Sequence, residues 1–228
     1  TNGKSSIANF YYQILTLNNK KAGTIGTLGV RSKEVNFDLS NTTIDPIQLG
    51  QILKKLKNHK IDNVIMEASS HGLEQNRLDG LIFNSGIFTN LSQDHLDYHK
   101  NLKDYLKAKL HLFRSLIRKK GNIITDSKIP EFSQIKKIAK KKFLKLNTIE
   151  GKNKNLKILT HSFHDESQIL KIKYKNIIKD IKLNLIGKIQ IKNILMAFIA
   201  AEKSGLNLSK ILKVIPNLKP VEGRFEKI

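Results

Sequence analysis

Apolar residues recur along most of the chain with two alternating spacings. Helical spacing begins at Lys4 and Ser5, recurs over residues 46–57, and returns over 102–117. Short apolar runs of strand length lie between these segments. They predict strands at 23–30, where glycines interrupt the run, and at 64–67, 85–90 and 122–125.

The alternation of helices and short apolar strands predicts an α/β fold with a mostly parallel sheet flanked by helices. Residues 142–185 differ, because polar and apolar residues alternate there, and they predict a small antiparallel β section at one end. A helix is predicted again over 190–204, ending at Gly205. Without an internal repeat or a linker, residues 1–228 are expected to form one domain.

The charge balance raises the question of an anionic partner. The chain has 41 Lys and Arg against 19 Asp and Glu, a formal net charge of +22. A basic nucleic-acid-binding module is therefore one alternative. However, the lysines after Ile117 alternate with apolar residues, as in 135–142, which is typical of the solvated face of amphipathic elements. Aromatic residues are 7% and Trp is absent, so no stacking platform is evident and nucleic acid is not the expected partner.

Two absences bear on the environment of the protein. Cysteine is absent, which excludes disulfides and thiolate metal sites. No apolar run approaches the roughly 20 residues needed to span a bilayer, and no secretory leader precedes the first predicted helix. We therefore expect a cytoplasmic protein with no membrane partner.

Gly3-Lys4-Ser5 followed by a helix matches the second half of a phosphate-binding loop. Backbone N–H groups at a helix start face phosphate oxygens, and the helix dipole favours their charge. Lys4 would neutralise the outer phosphates, and the Ser5 hydroxyl would help to hold Mg²⁺. The complete motif needs an earlier glycine and a strand, which would precede Thr1, so we expect a fragment. Alone, the tripeptide is also compatible with a loop that caps a helix.

Polar residues follow two of the predicted strands. Glu67 ends the strand 64–67 and precedes Ser69 and Ser70. Ligands bind at the carboxyl ends of strands in open α/β sheets, and a carboxylate there suits Mg²⁺. The second polar group, 88–99, is dense in titratable side chains.

Taken together, these segments resemble the Mur ligase family, most of all its branch that adds the third residue to UDP-N-acetylmuramoyl-dipeptide. The matching blocks are 1–5, 41–43, 67–71, 89–99, 105–113 and 223–226. Their order and spacing cover essentially the whole chain, which makes the resemblance more specific than any single motif. It implies the P-loop, ATP-binding central domain of that family. The N-terminal domain that binds the uridine nucleotide and the C-terminal domain that binds the amino acid are expected to be absent.

The resemblance implies a role for each matching residue, with ATP and Mg²⁺ as cofactors. The residues implied to bind ATP are Thr1, Asn2, Gly3, Lys4, Ser5, Ser6, Asn193 and Arg224. Those implied to hold Mg²⁺ are Ser5, Glu67, His95 and Lys109, and the implied catalytic residues are Lys4, His95 and Lys109. The contacts implied for the UDP-muramoyl-peptide are Asn41, Thr42, Thr43, Ser69, Gln75 and Arg77.

Lys109 matches the lysine that these ligases carry as a carbamate. A protonated amine cannot bind a cation, whereas its carbamate offers an anionic oxygen suited to Mg²⁺. The modification requires the neutral amine of a secluded lysine. From composition alone, Lys109 would be one more solvated lysine, and only its position after His95 favours the functional role. His71, His99 and His111 are treated as structural or as supporting the site.

The implied reaction forms an amide. ATP phosphorylates the terminal carboxylate of the UDP-N-acetylmuramoyl-dipeptide. The amine of an amino acid then displaces phosphate, and members of the family usually add a diamino acid. The protein is expected to be monomeric, and the fragment alone to be inactive.

Some features depart from the family pattern or leave alternatives. Ile44 and Asp45 separate the paired threonines from Pro46, and Gln190 replaces an asparagine near the adenine. Ordinary turn and cap chemistry would also explain the Asn, Thr and Ser residues. Folylpolyglutamate synthetases share the phosphate loop and the carbamylated lysine, but blocks 41–43 and 66–73 favour the cell-wall branch.

Overall fold

The computed structural model describes residues 3–91, 99, 101–150, 156–164, 167–185 and 187–221. The helices are α1 (Lys4–Leu17), α2 (Pro46–Asn58), α3 (Ser70–Glu74), α4 (Leu102–His111), α5 (Phe132–Lys141), α6 (Lys188–Lys203) and α7 (Leu208–Val214), with a π-helical turn at Leu112–Leu116 and a 3₁₀ turn at Ile215–Asn217. The strands are β1 (Ala22–Gly26), β2 (Gly29–Ser32), β3 (Asn63–Met66), β4 (Phe83–Phe88), β5 (Ile117–Asp126), β6 (Lys145–Ile149), β7 (Leu156–His164), β8 (Ser167–Tyr174) and β9 (Ile177–Leu183).

The strands form two sheets. The first has three strands in the order β2-β1-β3, and the second has six in the order β4-β5-β6-β7-β8-β9. Pairing is parallel between β1 and β3 and from β4 through β7, and antiparallel between β1 and β2 and from β7 through β9. The predicted α/β class, with a mostly parallel sheet and an antiparallel section, is confirmed.

Helices α1 and α6 join the two sheets. They pack against each other, with α1 also contacting β1 and β3 and α6 contacting β4, β5 and β6. Their shared core includes Phe10, Ile14 and Phe198, all fully buried. Helix α6 is buried at most of its positions, and its Asn193 side chain lies against Gly3 at the start of α1.

Helix α2 shows how the chain accommodates the two residues before Pro46. Asp45 caps the helix, since its carboxylate accepts hydrogen bonds of 3.0 Å from the N–H groups of Ile47 and Gln48. Pro46 occupies the first turn, where no N–H donor is needed. Ile44 is 1% exposed and packs in the core of the smaller sheet. The inserted pair therefore supplies a cap and a core residue.

Three predicted elements require correction. Residues 23–30 form two antiparallel strands, β1 and β2, because the chain turns at Thr27 and Leu28. The helix predicted over 102–117 ends as an α-helix at His111 and continues as a π-helical turn. Within 142–185, β6 pairs in parallel with β5, and only β7 to β9 are antiparallel. Within the described ranges, no helix has the length and apolar character needed to cross a membrane.

Candidate nucleotide and metal site

Gly3 begins α1 in a conformation and a space that only glycine fits. Its φ is 97°, in the left-handed region, and its carbonyl accepts the first helical hydrogen bond from Ile7 at 2.9 Å. A Cβ atom there would lie 2.6 Å from the side-chain oxygen of Asn193 on α6. The first turn of α1 carries no acidic residue. The helix start therefore has the features of an anion-binding N-terminus.

Ser5 and Glu67 meet beside this helix start. The Ser5 hydroxyl donates a hydrogen bond of 2.9 Å to the Glu67 carboxylate, and the two residues are 1% and 5% exposed. Glu67 follows β3 directly, so the chain places its carboxylate at the carboxyl edge of the smaller sheet. Gly26 leaves room for this carboxylate, since any Cβ at that position would overlap it. Two oxygen groups suited to a hard cation are therefore adjacent.

Thr27 is a further contact of Glu67 that the sequence did not single out. Its N–H donates to one carboxylate oxygen at 3.0 Å and its hydroxyl to the other at 3.4 Å. The available signal was its position, because Thr27 follows β1 at the edge where Glu67 follows the neighbouring parallel strand β3. Ser70 was also not assigned, although its buried hydroxyl has no hydrogen-bond partner among the described residues.

Thr43 ties the predicted substrate-binding segment to Glu67. Its hydroxyl donates to the Glu67 carbonyl at 3.1 Å and accepts from the Ser69 N–H at 2.9 Å. Arg77 donates to the Thr43 carbonyl at 2.6 Å. The Ser69 hydroxyl accepts from the Gly72 N–H at 3.0 Å and so caps α3. These three predicted substrate contacts therefore have structural hydrogen bonds of their own.

The remaining predicted substrate residues lie nearer the solvent. Thr42 shares a hydrogen bond of 3.0 Å with the hydroxyl of Thr27, which places it one residue from the Glu67 carboxylate. Asn41 and Gln75 are exposed. Of this group, Thr42 is the side chain that the structure brings nearest to the predicted metal ligands.

Lys109 lies on α4 and points toward the end of β4. Its ammonium donates a hydrogen bond of 2.6 Å to the Asn90 carbonyl. It also lies 5.0 Å from the ring centre of Phe88 and 5.3 Å from that of Tyr105. These contacts stabilise a cation. Lys109 borders the same cavity as Lys4 and Glu67.

Asn193 and Gln190 lie in the buried first turns of α6. They are 5% and 2% exposed, and the Asn193 amide donates to the Gln190 side-chain oxygen at 3.4 Å. The Gln190 amide nitrogen is buried and has no hydrogen-bond partner in the described part of the chain. An orphan buried donor of this kind is destabilising by about 1–3 kcal/mol unless a ligand or water satisfies it.

The three histidines set aside in the sequence lie near carboxylates or rings. His111 contacts Asp79 at 2.9 Å, and His99 lies 3.3 Å from Glu74. His99 also stacks on the ring of Tyr105, with ring centres 4.8 Å apart. Within the described ranges, no three His, Cys, Asp or Glu side chains form a group that could hold a metal.

Four predicted site residues lie outside the described residues, so their roles stay predictions. They are Thr1, Asn2, His95 and Arg224. The structure brings together the rest of the phosphate loop, Glu67 and Asn193, with Lys109 on the same cavity.

Comparison with known proteins gives concordant matches. The family described as Mur ligase middle domain matches residues 1–201. The chain is 38% identical, over its whole length, to the UDP-N-acetylmuramoyl-L-alanyl-D-glutamate–2,6-diaminopimelate ligase of Rickettsia bellii, of which it covers 49%. The chain thus spans about half the length of the curated relatives that it matches.

Solved structures agree with these matches. A UDP-N-acetylmuramoyl-L-alanyl-D-glutamate–2,6-diaminopimelate ligase superposes with a TM-score of 0.89 at 26% identity, over 98% of this chain and 46% of that one. A mutant of L. casei FPGS superposes with a TM-score of 0.75 at 14% identity, over 100% of this chain and 63% of that one. At that identity, the second likeness shows the fold alone.

Proposed function

Because the chain belongs to the Mur ligase middle-domain family, we propose that it is the ATP-binding part of an amide-forming ligase of peptidoglycan precursor synthesis. Its substrate would be UDP-N-acetylmuramoyl-L-alanyl-D-glutamate, and the names of its relatives favour 2,6-diaminopimelate as the added amino acid. The observation that supports this most is the buried hydrogen bond between Ser5 and Glu67 beside the N-terminus of α1. It combines an anion-binding helix start with hard oxygen ligands.

The residues present fit Mg²⁺ at this point. The Ser5 hydroxyl and the Glu67 carboxylate are both oxygen donors, and they already lie within 2.9 Å of each other. Mg²⁺ in such sites usually keeps several waters and uses one or two protein ligands together with substrate phosphates. When bound, the ion neutralises charge on the transferring phosphoryl group. His95 and the carbamate of Lys109 are proposed as further ligands.

Carbamylation would replace the positive charge of the Lys109 side chain with a negative charge. The Asn90 carbonyl and the two flanking rings favour an ammonium. A carbamate in place of this ammonium would need nearby cations to offset its negative charge, and Mg²⁺ or Lys4 would supply the positive charge. We therefore expect the carbamate to form together with Mg²⁺ binding.

The phosphates of ATP are assigned to the start of α1. Backbone N–H groups from Gly3 onward and the Lys4 ammonium would bind them, with Thr1, Asn2, Ser6 and Arg224 as further proposed contacts. Asn193 lies against Gly3, so α6 adjoins the loop. The unsatisfied amide of Gln190 would donate to an acceptor on the nucleotide, which is how a glutamine could serve where an asparagine was expected.

In the proposed reaction the γ-phosphoryl group of ATP passes to the terminal carboxylate of the dipeptide. The amine of the incoming amino acid then attacks this acyl group, and phosphate leaves. The share of this chain is to position the reactants and neutralise charge. Thr42, beside Thr27 and Glu67, would orient the dipeptide, while Asn41, Thr43, Ser69, Gln75 and Arg77 line its approach.

A chimera tests this proposal. The chain would replace the matching half of the Rickettsia bellii ligase, and ligation would be measured with ATP, the UDP-muramoyl-dipeptide and 2,6-diaminopimelate. We expect product that requires all three, and none in the Lys4→Met chimera, with equal circular dichroism spectra as the folding control. Ligation of glutamate to a folate, with no activity on the dipeptide, would overturn the proposal in favour of a folylpolyglutamate synthetase.

We further propose that the protein is cytoplasmic, monomeric and free of membrane partners. ATP and a UDP-linked substrate are compatible with that compartment. Light scattering coupled to size exclusion would check the monomer against the mass of 26.0 kDa.

A further inference from the structure

Asp126 is a buried carboxylate that was not among the predicted site residues. It is the last residue of β5 and pairs in register with Ile149 at the end of β6, so it lies at the carboxyl edge of the larger sheet. The residue is 1% exposed. Because aspartate is almost never fully buried unless it is paired, its hydrogen-bond partners indicate what it does at this edge.

Two donors from different parts of the chain satisfy the Asp126 carboxylate. The Lys128 N–H donates to one oxygen at 2.8 Å, and the Lys192 ammonium donates to the other at 2.6 Å. The first hydrogen bond is local, whereas the second spans 66 positions and joins β5 to α6. The Asp126 side chain is 2% exposed and that of Lys192 is 46% exposed. The ion pair therefore has its carboxylate in the interior and its lysine at the surface.

The first turn of α6 carries no side-chain cap. Gly187, which precedes the helix with a φ of 102°, has no side chain to accept hydrogen bonds from the free N–H groups. Residues 188–191 include no Asp or Glu that could interact with the helix dipole there. A helix N-terminus normally gains stability from a Ser, Thr, Asp or Asn cap. The position of this turn therefore depends on side-chain contacts with other elements.

Two such contacts hold the start of α6. The Asn193 side chain lies against Gly3 at the start of α1, where an added Cβ would approach its oxygen to 2.6 Å. Lys192, the preceding residue, reaches Asp126 at the end of β5. Successive residues of an α-helix point about 100° apart, so the two contacts act along different directions. The ion pair thus joins the start of α6 to the larger sheet, and Asn193 joins it to the phosphate loop.

We propose that Asp126 is a positioning residue of the nucleotide site, a role that rests on the proposed function. Through Lys192, it holds the start of α6 where Gln190 and Asn193 can bind the nucleoside part of ATP. The phosphates are assigned to the start of α1, which leaves the nucleoside for the neighbouring helix. The Gln190 amide nitrogen, buried and without a partner in the described residues, is a donor for it. Because a hydrogen bond longer than about 3.5 Å is largely lost, a shift of about 1 Å would remove that contact.

The charge of Asp126 by itself would have the opposite effect on ATP binding. ATP is an anion, so replacing the carboxylate with a neutral amide should strengthen its binding if charge alone acts. Loss of the ion pair should weaken binding if Asp126 positions α6. Asp126→Asn therefore separates the two possibilities by the direction of the change. Lys192→Arg complements it, since arginine keeps both the positive charge and a partner for the carboxylate.

The test is isothermal titration calorimetry of ATP and of inorganic triphosphate, both with Mg²⁺, on the 228-residue chain and its variants. We expect the Kd for ATP to rise about tenfold in Asp126→Asn and in Lys192→Met, which corresponds to the loss of about one hydrogen bond. Lys192→Arg should stay within about threefold of the unaltered chain. The Kd for triphosphate, which is assigned to α1 alone, should change by less than about threefold in every variant. Lys188→Met, which removes an exposed lysine of the same turn, should change neither Kd by more than about threefold.

The folding of each variant is controlled separately. Lys192→Met leaves the buried carboxylate without its ammonium, so we expect it to lower the free energy of unfolding. Urea denaturation identifies a temperature at which the variants are folded, and the titrations are performed there. The ratio of the two Kd values then isolates positioning, because a general loss of folded protein would reduce the binding of ATP and triphosphate alike. If Asp126→Asn does not fold, the comparison of Lys192→Met with Lys192→Arg and Lys188→Met decides the question.

Three outcomes would overturn this role for Asp126. The first is ATP binding by Asp126→Asn that is as tight as in the unaltered chain, or tighter. The second is an equal weakening of ATP and triphosphate binding. The third is a weakening of ATP binding in Lys192→Arg as large as in Lys192→Met. Each of these results leaves the proposed function intact, whereas absence of ATP binding by the unaltered chain would contradict the proposed function and this role together.

Discussion

The hydroxyl of Ser5 donates a 2.9 Å hydrogen bond to the carboxylate of Glu67 across 62 positions of sequence. One residue belongs to the first turn of α1 and the other follows β3, so the contact joins a helix start to the carboxyl edge of a sheet. Both are buried, and the carboxylate also accepts two hydrogen bonds from Thr27.

Gly3→Ala should destabilise the fold more than a comparable glycine change. Gly3 and Gly205 both have positive φ, at 97° and 91°, so alanine at either should lose about 1–2 kcal/mol. Only at Gly3 would the new Cβ meet Asn193, which adds about 1–3 kcal/mol of overpacking. Urea denaturation measures the difference. Equal losses in the two variants, or an extra loss that persists in an Asn193→Ala background, would contradict the close approach.

Thr43→Val should destabilise the protein while Thr42→Val should not. Thr43 is buried and its hydroxyl serves both the Glu67 carbonyl and the Ser69 N–H, so valine leaves two backbone groups unpaired, at about 1–3 kcal/mol each. The Thr42 hydroxyl has one exposed partner, Thr27, and its loss should cost less than about 1 kcal/mol. Chemical denaturation of both variants checks this, and similar stabilities would show that the Thr43 network is not structural.

Acid should weaken the fold through Glu202. Burial alone would raise the pKa of Glu202, but hydrogen bonds and charge from Lys175 and Lys203 outweigh it and lower the pKa below 4.5. A carboxylate with a lowered pKa stabilises the fold above its unfolded pKa, and this contribution is lost as the pH falls through the folded pKa. As the pH falls from 7 to below about 4.5, the free energy of unfolding should therefore decrease less steeply for Glu202→Gln than for the unaltered protein.

The lysine partners provide the control for Glu202. Lys203→Met should also flatten this pH dependence, because it removes one of the groups that lower the pKa. Lys179 lies on β9 and is not among the groups that lower this pKa, so Lys179→Met should leave the pH dependence of the unfolding free energy unchanged. A slope that Glu202→Gln does not change would contradict the assignment.

The net charge of +22 should not give tight nucleic-acid binding. In the part of the chain that the structure describes, the lysines lie on many separate elements. We therefore expect a 20-base-pair duplex to bind at low salt only and to be released at about 0.15 M, with a steep salt dependence. Fluorescence anisotropy measures this. Submicromolar affinity at 0.15 M salt would favour the nucleic-acid-binding alternative.

Local signals predicted the elements around the site well. The helix start at Lys4, the helix from Pro46 and the strand before Glu67 were each predicted within a residue or two. Each depends on nearby residues, such as a cap, a proline at the first turn or a short apolar run. The Mur ligase family itself was recognised from blocks of sequence, and the comparisons confirm it.

Other features depend on contacts between distant residues. Whether β6 pairs in parallel or antiparallel is decided by its neighbour β5, which its own alternating pattern does not reveal. The contact of Thr27 with Glu67 follows from the parallel register of β1 and β3. The division into two sheets could not be predicted from local pattern either, because it depends on β3 and β4 lying along one cavity and not pairing with each other.

We propose above all that the start of α1 and Glu67 form a site for Mg²⁺ and ATP. Isothermal titration calorimetry of ATP, with and without Mg²⁺, would be compared among the chain, Lys4→Ala and Glu67→Ala, with the surface variants Lys128→Ala and Glu34→Ala as matched controls. We predict saturable binding that requires Mg²⁺, is lost in the first two variants and is kept in the controls. Binding that survives Glu67→Ala or ignores Mg²⁺ would contradict this proposal, as would no binding by the unaltered chain.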